Sequence, residues 1–310
     1  MSEPYQRVAL IGLGLIASSI AYAVRRAKLP ATIVGTDIDP EVRAAVAELG
    51  FCDAVTERAD EAVDGADLVM LCTPVGAIED VMAEIAPILA PGATVTDVGS
   101  VKRSVIASVL QHLPAGVDFI AGHPLAGTEQ SGPRAGFAEL FDRRFCILTP
   151  VEGASSDDAV ARLRSFWQSL GAMVEEMDPD HHDLVLAVTS HTPHLIAYTM
   201  VGVADDLRRV TNSEVIKYSA AGFRDFTRIA ASDPTMWRDV FLTNRDATLE
   251  ILGRFTEELF ALRRAIRTGD GALLSDYFSR TRAIRRGIIE AGQDTADADF
   301  GRRAKTEETG

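Results

Sequence analysis

The sequence predicts an α/β protein: a doubly wound, mostly parallel sheet followed by a domain built only of helices. Three observations carry that expectation. Short apolar, β-branched runs alternate with helically spaced stretches over the first half of the chain. A glycine-rich turn separates the first run from the first helical stretch. After Asp178-Pro179 the strand pattern all but disappears. Continuous apolar strands alternating with helices are the pattern of a parallel sheet covered on both faces.

The strand candidates are Val8-Ala9-Leu10-Ile11, Ala31-Thr32-Ile33-Val34, Leu68-Val69-Met70-Leu71, Ala93-Thr94-Val95-Thr96 and Phe119-Ile120-Ala121, with helical spacing over 41–49 and 78–89. A strand over 144–148, a helix over 157–170 and a short strand over 172–175 follow. Helical periodicity then covers 180–203, 213–221, 234–262 and 272–289. The expected domains are 1–177, a nucleotide-binding unit, and 178–293, a helical substrate and dimerisation unit, with a polar tail over 294–310. Long apolar helix faces need cover, so a homodimer is expected; an ordinary monomeric bundle is the alternative.

At 310 residues, with 47 % apolar and 25 % charged residues, the chain has the balance of a globular protein of two domains. Its 31 Lys+Arg against 45 Asp+Glu leave a formal charge of −14, which argues against nucleic acid and anionic lipid as partners. An anionic metabolite would need a pocket with its own positive charge. No apolar run reads as a membrane span. Met1-Ser2-Glu3-Pro4 has no basic stretch leading an apolar one, and the cysteines Cys52, Cys72 and Cys146 lack CxxC spacing, so a cytoplasmic protein without an export signal is expected.

Gly12-Leu13-Gly14-Leu15-Ile16-Ala17 joins the first strand to the first helix as GxGxxA. In a Rossmann-type domain the first glycine allows the tight turn and the second lets the backbone approach a pyrophosphate. The N–H groups of Leu15 and Ile16 then open the helix toward the phosphates. Asp37 ends the second strand, where a carboxylate accepts ribose hydroxyls and repels a 2′-phosphate; neither Ile38 nor Asp39 offers a cation, so NAD is expected over NADP. Asp37 could also be a helix-start acid, although Asp39 before Pro40 is the better N-cap. Thr73-Pro74 and Ser100 lie at later strand ends and border the same crevice. Pro74 could equally serve only to start a helix, and Ser100 only to cap one.

His123 stands at the end of a strand, on the glycine-rich loop that continues through Thr128-Glu129, and is placed to face a nicotinamide. Its bland reading is a histidine bonded within its own loop. His191-Thr192-Pro193-His194 falls in a helical pattern that Pro193 should kink, turning His194 inward. A metal pair is disfavoured, since no partner carboxylate or cysteine is evident; no metal is expected. His191 reads as a structural histidine, and His181 and His182 as a solvated helix start.

The blocks GLGLIASSIA, TDVGSVK, GHPLAGTEQSG, SHTPH and GFRDFTRIAASDPTMWRDVFLTN together resemble the prephenate/arogenate (cyclohexadienyl) dehydrogenases of tyrosine biosynthesis, in their stand-alone form without a regulatory ACT domain or a fused chorismate mutase. The resemblance implies oxidative decarboxylation of prephenate or arogenate with NAD. It implies His123 as the base on the substrate hydroxyl, with Ser100 bonding the same hydroxyl and facing the cofactor. It implies Arg228 on a substrate carboxylate, oriented by Asp225, with His194, Thr128 and Trp237 lining the pocket. Arg224 would pair with Glu129 as a gate, and Glu129 would be the acid that favours arogenate's ammonium. Trp237 also reads as a plain core residue. Two rivals remain: a two-domain hydroxyacid dehydrogenase, which would need a lysine that Lys217 matches poorly, and a non-catalytic NAD sensor.

Overall fold

The computed structural model describes residues 3–208 and 221–290. The tail expected over 294–310, and all but the last residue of the helix expected over 213–221, lie outside the described residues.

Eight strands form one sheet in the order β3-β2-β1-β4-β5-β6-β7-β8. They are β1 (Arg7–Ile11), β2 (Thr32–Thr36), β3 (Ala54–Thr56), β4 (Leu68–Leu71), β5 (Thr94–Asp97), β6 (Asp118–Pro124), β7 (Phe145–Pro150) and β8 (Met173–Glu176). The sheet is parallel from β3 through β6, with Leu10 opposite Gly35 and Met70. β7 then runs antiparallel to β6, with His123 opposite Ile147, and β8 runs parallel to β7. A parallel neighbour needs a long crossover, usually a helix. The segment between β6 and β7 holds only a short 3₁₀ turn, Pro133–Ala135, so the chain returns antiparallel. β3, an edge strand of three residues, is too short to leave a readable period.

Helices α1 (Leu15–Arg26), α2 (Pro40–Leu49), α3 (Ala59–Val63), α4 (Ile78–Ile85), α5 (Arg103–Leu110) and α6 (Asp157–Ser169) flank the sheet. Adjacent strand residues face opposite sides, so Leu10 and Leu68 join a core with Ile20, Phe141 and Trp167, while Ile11 and Leu71 join another with Met82 and Phe119. Trp237 and Val240 of the helical half enter this second core. That insertion docks the helices over the carboxyl ends of the central strands.

The helical half comprises α7 (Pro179–Leu186), a π turn (Ala187–His191), α8 (Thr192–Arg208), α9 (Ala221–Thr227), α10 (Pro234–Thr243), α11 (Arg245–Thr268) and α12 (Gly271–Glu290). Asp178 caps α7 by accepting the N–H groups of Asp180 and His181, and Asp233 caps α10. The π turn sits just before Pro193, whose missing N–H interrupts the regular ladder. The single helix expected over 234–262 is broken at Asn244 (φ −103°, ψ 42°). Pro179–Asp206 is long and apolar enough, by length and composition only, to cross a membrane, which the sequence reading did not anticipate. Within it, the buried His182, Asp183 and His191 are hydrogen-bonded to other groups of the protein.

Candidate active site

The glycine turn forms an anion cradle. Gly12 has φ +88°, and a Cβ there would lie 2.9 Å from the backbone of Cys72 and Thr73. Only glycine lets β1 turn this tightly against the end of β4. A Cβ at Gly14 would meet nothing within 4 Å, so the turn is open on its outer side. Gly14 occupies the N-cap of α1 without a side-chain cap, leaving the first-turn N–H groups at Leu15 and Ile16 for a ligand.

Asp37 accepts from the N–H of Leu13 at 2.8 Å and from that of Asp39 at 2.9 Å, which ties its carboxylate to the glycine turn. Arg43, in the first turns of α2, folds back to donate to the carbonyls of Asp37 and Ile38. Thr73 has a buried hydroxyl without a hydrogen-bond partner among the described residues. The exposed Pro74 leads into the turn Val75–Ala77, which packs on α10. Turn, free N–H groups and carboxylate together fit a dinucleotide.

The loop after β5 and the end of β6 are clamped by a buried ion pair. Lys102, with no exposed surface, bonds Asp97 and also donates to the carbonyl of Gly122 at 2.5 Å. Asp97 accepts from the N–H groups of Gly99 at 2.8 Å and Gly122 at 3.1 Å. The turn that carries Ser100 is thus held beside the strand that carries His123. At Gly122 a Cβ would come within 2.8 Å of the Asp97 carbonyl, so this close approach also requires glycine.

His123 is buried, and its Nδ1 lies 2.9 Å from Nε2 of His182. His182 Nδ1 lies 2.9 Å from Asp183, which also accepts from the N–H groups of Lys102 and Arg103. Burial alone would raise the Asp183 pKa, but the bonds from His182, Lys102 and Arg103 outweigh it and hold the carboxyl below its usual range. An ionised Asp183 only accepts, so His182 carries its proton on Nδ1 and presents a bare Nε2. His123 must then donate from Nδ1, which leaves its own Nε2 as a free lone pair. The chain Asp183–His182–His123 makes His123 a base of defined tautomer. The reading of His182 as a solvated helix start is corrected: it is buried, and only His181 is exposed. The available signal is spacing, since His182 lies four residues before the buried Leu186 on one face of α7.

Burial, followed by the nearby His182, Lys102 and His191, lowers the His123 pKa well below its ordinary value. Burial also lowers His182 and His194, and takes His191 down to about 4. The free enzyme's acid limb in kcat/KM is therefore expected below pH ~6.5, the ordinary histidine value. Stability carries the same sign. Below pH ~6.5 the unfolded chain binds protons that these folded imidazoles refuse, so stability falls as pH drops. A kcat/KM profile with its acid limb at or above pH ~6.5 would contradict this.

His194 donates from Nδ1 to the Ser190 carbonyl at 2.8 Å and stacks on Trp237 at 3.8 Å between ring centroids. Trp237 is a core residue, and its buried indole N–H has no hydrogen-bond partner among the described residues. His191 accepts from Asn244. Arg228 pairs with Glu129 at 2.8 Å, which brings the helical half onto the loop after His123. The gate pairing expected of Arg224 is thus made instead by Arg228; Arg224 is exposed one helical turn earlier, beside Asp225. Thr128, also exposed, accepts from the N–H of Gln130 and shapes that loop.

Comparison with known proteins matches this arrangement. Residues 20–176 match the family model "Prephenate dehydrogenase, nucleotide-binding domain", and residues 178–280 match "Prephenate dehydrogenase, dimerization domain". The chain is 41 % identical to a cyclohexadienyl dehydrogenase of Zymomonas mobilis, over 91 % of this chain and 95 % of that one. It is similar to the crystal structure of an A. aeolicus prephenate dehydrogenase in complex with hydroxyphenyl propionate and NAD+, at TM-score 0.84 and 33 % identity, covering 93 % of this chain and 100 % of the other. A Synechocystis arogenate dehydrogenase structure matches at TM-score 0.75 and 25 % identity, covering 91 % and 100 %.

Proposed function

Because the chain belongs to the prephenate dehydrogenase family, we infer that it oxidatively decarboxylates prephenate to 4-hydroxyphenylpyruvate and arogenate to tyrosine, with NAD as the electron acceptor. The observation that carries this reading is the Asp183–His182–His123 chain, which ends in a bare imidazole nitrogen at the carboxyl end of the sheet.

Gly12, Gly14, the N–H groups of Leu15 and Ile16, Asp37, Thr73 and Pro74 would hold the dinucleotide, which when bound supplies a hydride acceptor. Asp37 would favour NAD by accepting from the ribose hydroxyls and repelling a 2′-phosphate. His123 Nε2 draws the proton from the substrate's 4-hydroxyl as the C4 hydrogen leaves with its electron pair. The ring carboxylate departs as carbon dioxide, and the electrons of that C–C bond complete the aromatic ring. The proton lent to His123 returns to the resulting phenol oxygen, so no net proton is consumed. Ser100 would bond the same hydroxyl. Arg228 would bind a carboxylate, with His194, Trp237, Thr128, Arg224 and Asp225 bounding the pocket and Glu129 facing the side-chain arm.

The test is direct. Purified protein with NAD should form NADH on addition of prephenate, and also on addition of arogenate. Failure with both would leave the sensor reading in force, while turnover of a simple hydroxyacid would favour the other dehydrogenase class.

A homodimer formed through the helical half is part of the same proposal, supported by the match to a dimerization domain. Leu249, Phe260, Ile266, Phe278 and Ile284 on α11 and α12 are all more than half exposed in one chain. Phe260→Glu should turn a dimer into monomers in sedimentation equilibrium, since burying one unpaired charge costs several kcal/mol. A wild-type monomer at micromolar concentration would contradict the assignment. The unpaired Cys52, Cys72 and Cys146 support a cytoplasmic setting.

A further inference from the structure

Asn244 interrupts what would otherwise be one helix from α10 into α11. It stands at the N-cap of α11, where an asparagine side chain ordinarily accepts a first-turn N–H, yet it makes no such bond. Instead its buried carboxamide reaches inward. Nδ2 donates to the backbone carbonyl of Asp183 at 2.8 Å and lies 3.1 Å from Nδ1 of His191. A carbonyl can only accept, so the amide group facing Asp183 must be the NH₂, and the reverse orientation is excluded. The second hydrogen then meets His191 Nδ1, which must be unprotonated. Neutral His191 therefore carries its proton on Nε2. That nitrogen is buried with no hydrogen-bond partner among the described residues, and the backbone of Ser100 lies near enough to the ring to act against its burial. The charged and titratable groups around His191 are Asp183 and His182 from α7 and His194 from α8.

One side chain thus touches both arms of the site. We propose that Asn244 is a positioning residue for the reaction inferred above: its carboxamide fixes the Nε2–H tautomer of His191 toward the Ser100 turn, and it pins the α7 turn that presents Asp183 to the His182–His123 chain. The kinetic part of this proposal rests on the proposed function; the tautomer part does not. It explains why the chain breaks a long helix at this point and leaves the new helix end uncapped.

Long-range ¹⁵N–¹H correlation spectra of the full-length protein labelled at histidine should show His191 protonated on Nε2 and His123 on Nδ1. Asn244→Asp keeps the shape but replaces the donor with an acceptor, so His191 must move its proton to Nδ1 or take a second one. The expected result is a fall in kcat of ~10–100-fold, with KM for NAD within ~3-fold and the acid limb of kcat/KM displaced to higher pH. A merely structural role would move stability and leave tautomer and pH profile in place. Wild-type spectra with the His191 proton on Nδ1 would overturn the proposal, as would an Asn244→Asp enzyme of unchanged kcat and pH profile. Should that variant not fold, the wild-type spectra decide alone. A wild-type chain inert toward both acids overturns the proposed function and leaves the tautomer result standing.

Discussion

His123→Asn is expected to lower kcat by ~10²–10⁴-fold while leaving NAD affinity near wild type. The size of the effect follows from the role: asparagine fills much of the same space but has no basic nitrogen to draw the hydroxyl proton as hydride leaves. Asp183→Asn reaches the same step without touching the base. An amide can present an NH₂ to His182 Nδ1, so His182 would hold its proton on Nε2 and His123 would no longer be obliged to donate from Nδ1. The base then spends its time in the wrong tautomer, a defect that is large in histidine–carboxylate catalysis generally. Steady-state kinetics with a separate measurement of NAD binding checks both variants. A His123→Asn enzyme of near-normal kcat would remove His123 from the mechanism.

Arg228→Ala is expected to raise KM for prephenate with a smaller change in kcat. Removing one partner of a desolvated charge pair costs ~2–5 kcal/mol. Arg228 is half exposed before substrate arrives, so the lower end applies, a ~30-fold rise in KM. The same geometry gives an opposite sign for its neighbour. Glu129 occupies Arg228 at 2.8 Å in the structure, so a substrate carboxylate bound by Arg228, as proposed, would have to displace it. An exposed pair of this kind is worth ~0–1 kcal/mol. Glu129→Gln should therefore lower KM for prephenate by no more than a few-fold. If Glu129 also reads the side-chain arm, the loss should fall on arogenate, whose ammonium it would attract. An unchanged KM in Arg228→Ala would mean that another cation holds the substrate.

The parts of the site that were legible from residue order share a property: their chemistry is local. The tight turn at Gly12 needs only its neighbours in the chain and the strand beside it, and Asp37 and His123 announce themselves by ending apolar runs. The parts that were not legible are pairings. His182 sits beside Asp178, Asp180 and His181, and nothing adjacent shows that His123 covers it. Arg224 and Arg228 lie one turn apart, and periodicity does not say which of them meets Glu129. Asn244 looks like one polar residue inside a long amphipathic stretch.

Sequence alone determined the succession of strands and helices, the dinucleotide turn and the placing of His123 at the end of a strand, because propensity and apolar period act over a few residues and survive in the linear order. Tertiary structure alone decided the reversal of β7, the proton placement along Asp183–His182–His123, the choice of Arg228 for Glu129 and the break at Asn244. The last three depend on hydrogen bonds or ion pairs between groups distant in the chain, His123 with His182, Glu129 with Arg228 and Asp183 with Asn244. These groups meet only when the second core draws Trp237 and Val240 down onto the sheet and closes the helices over the strand ends.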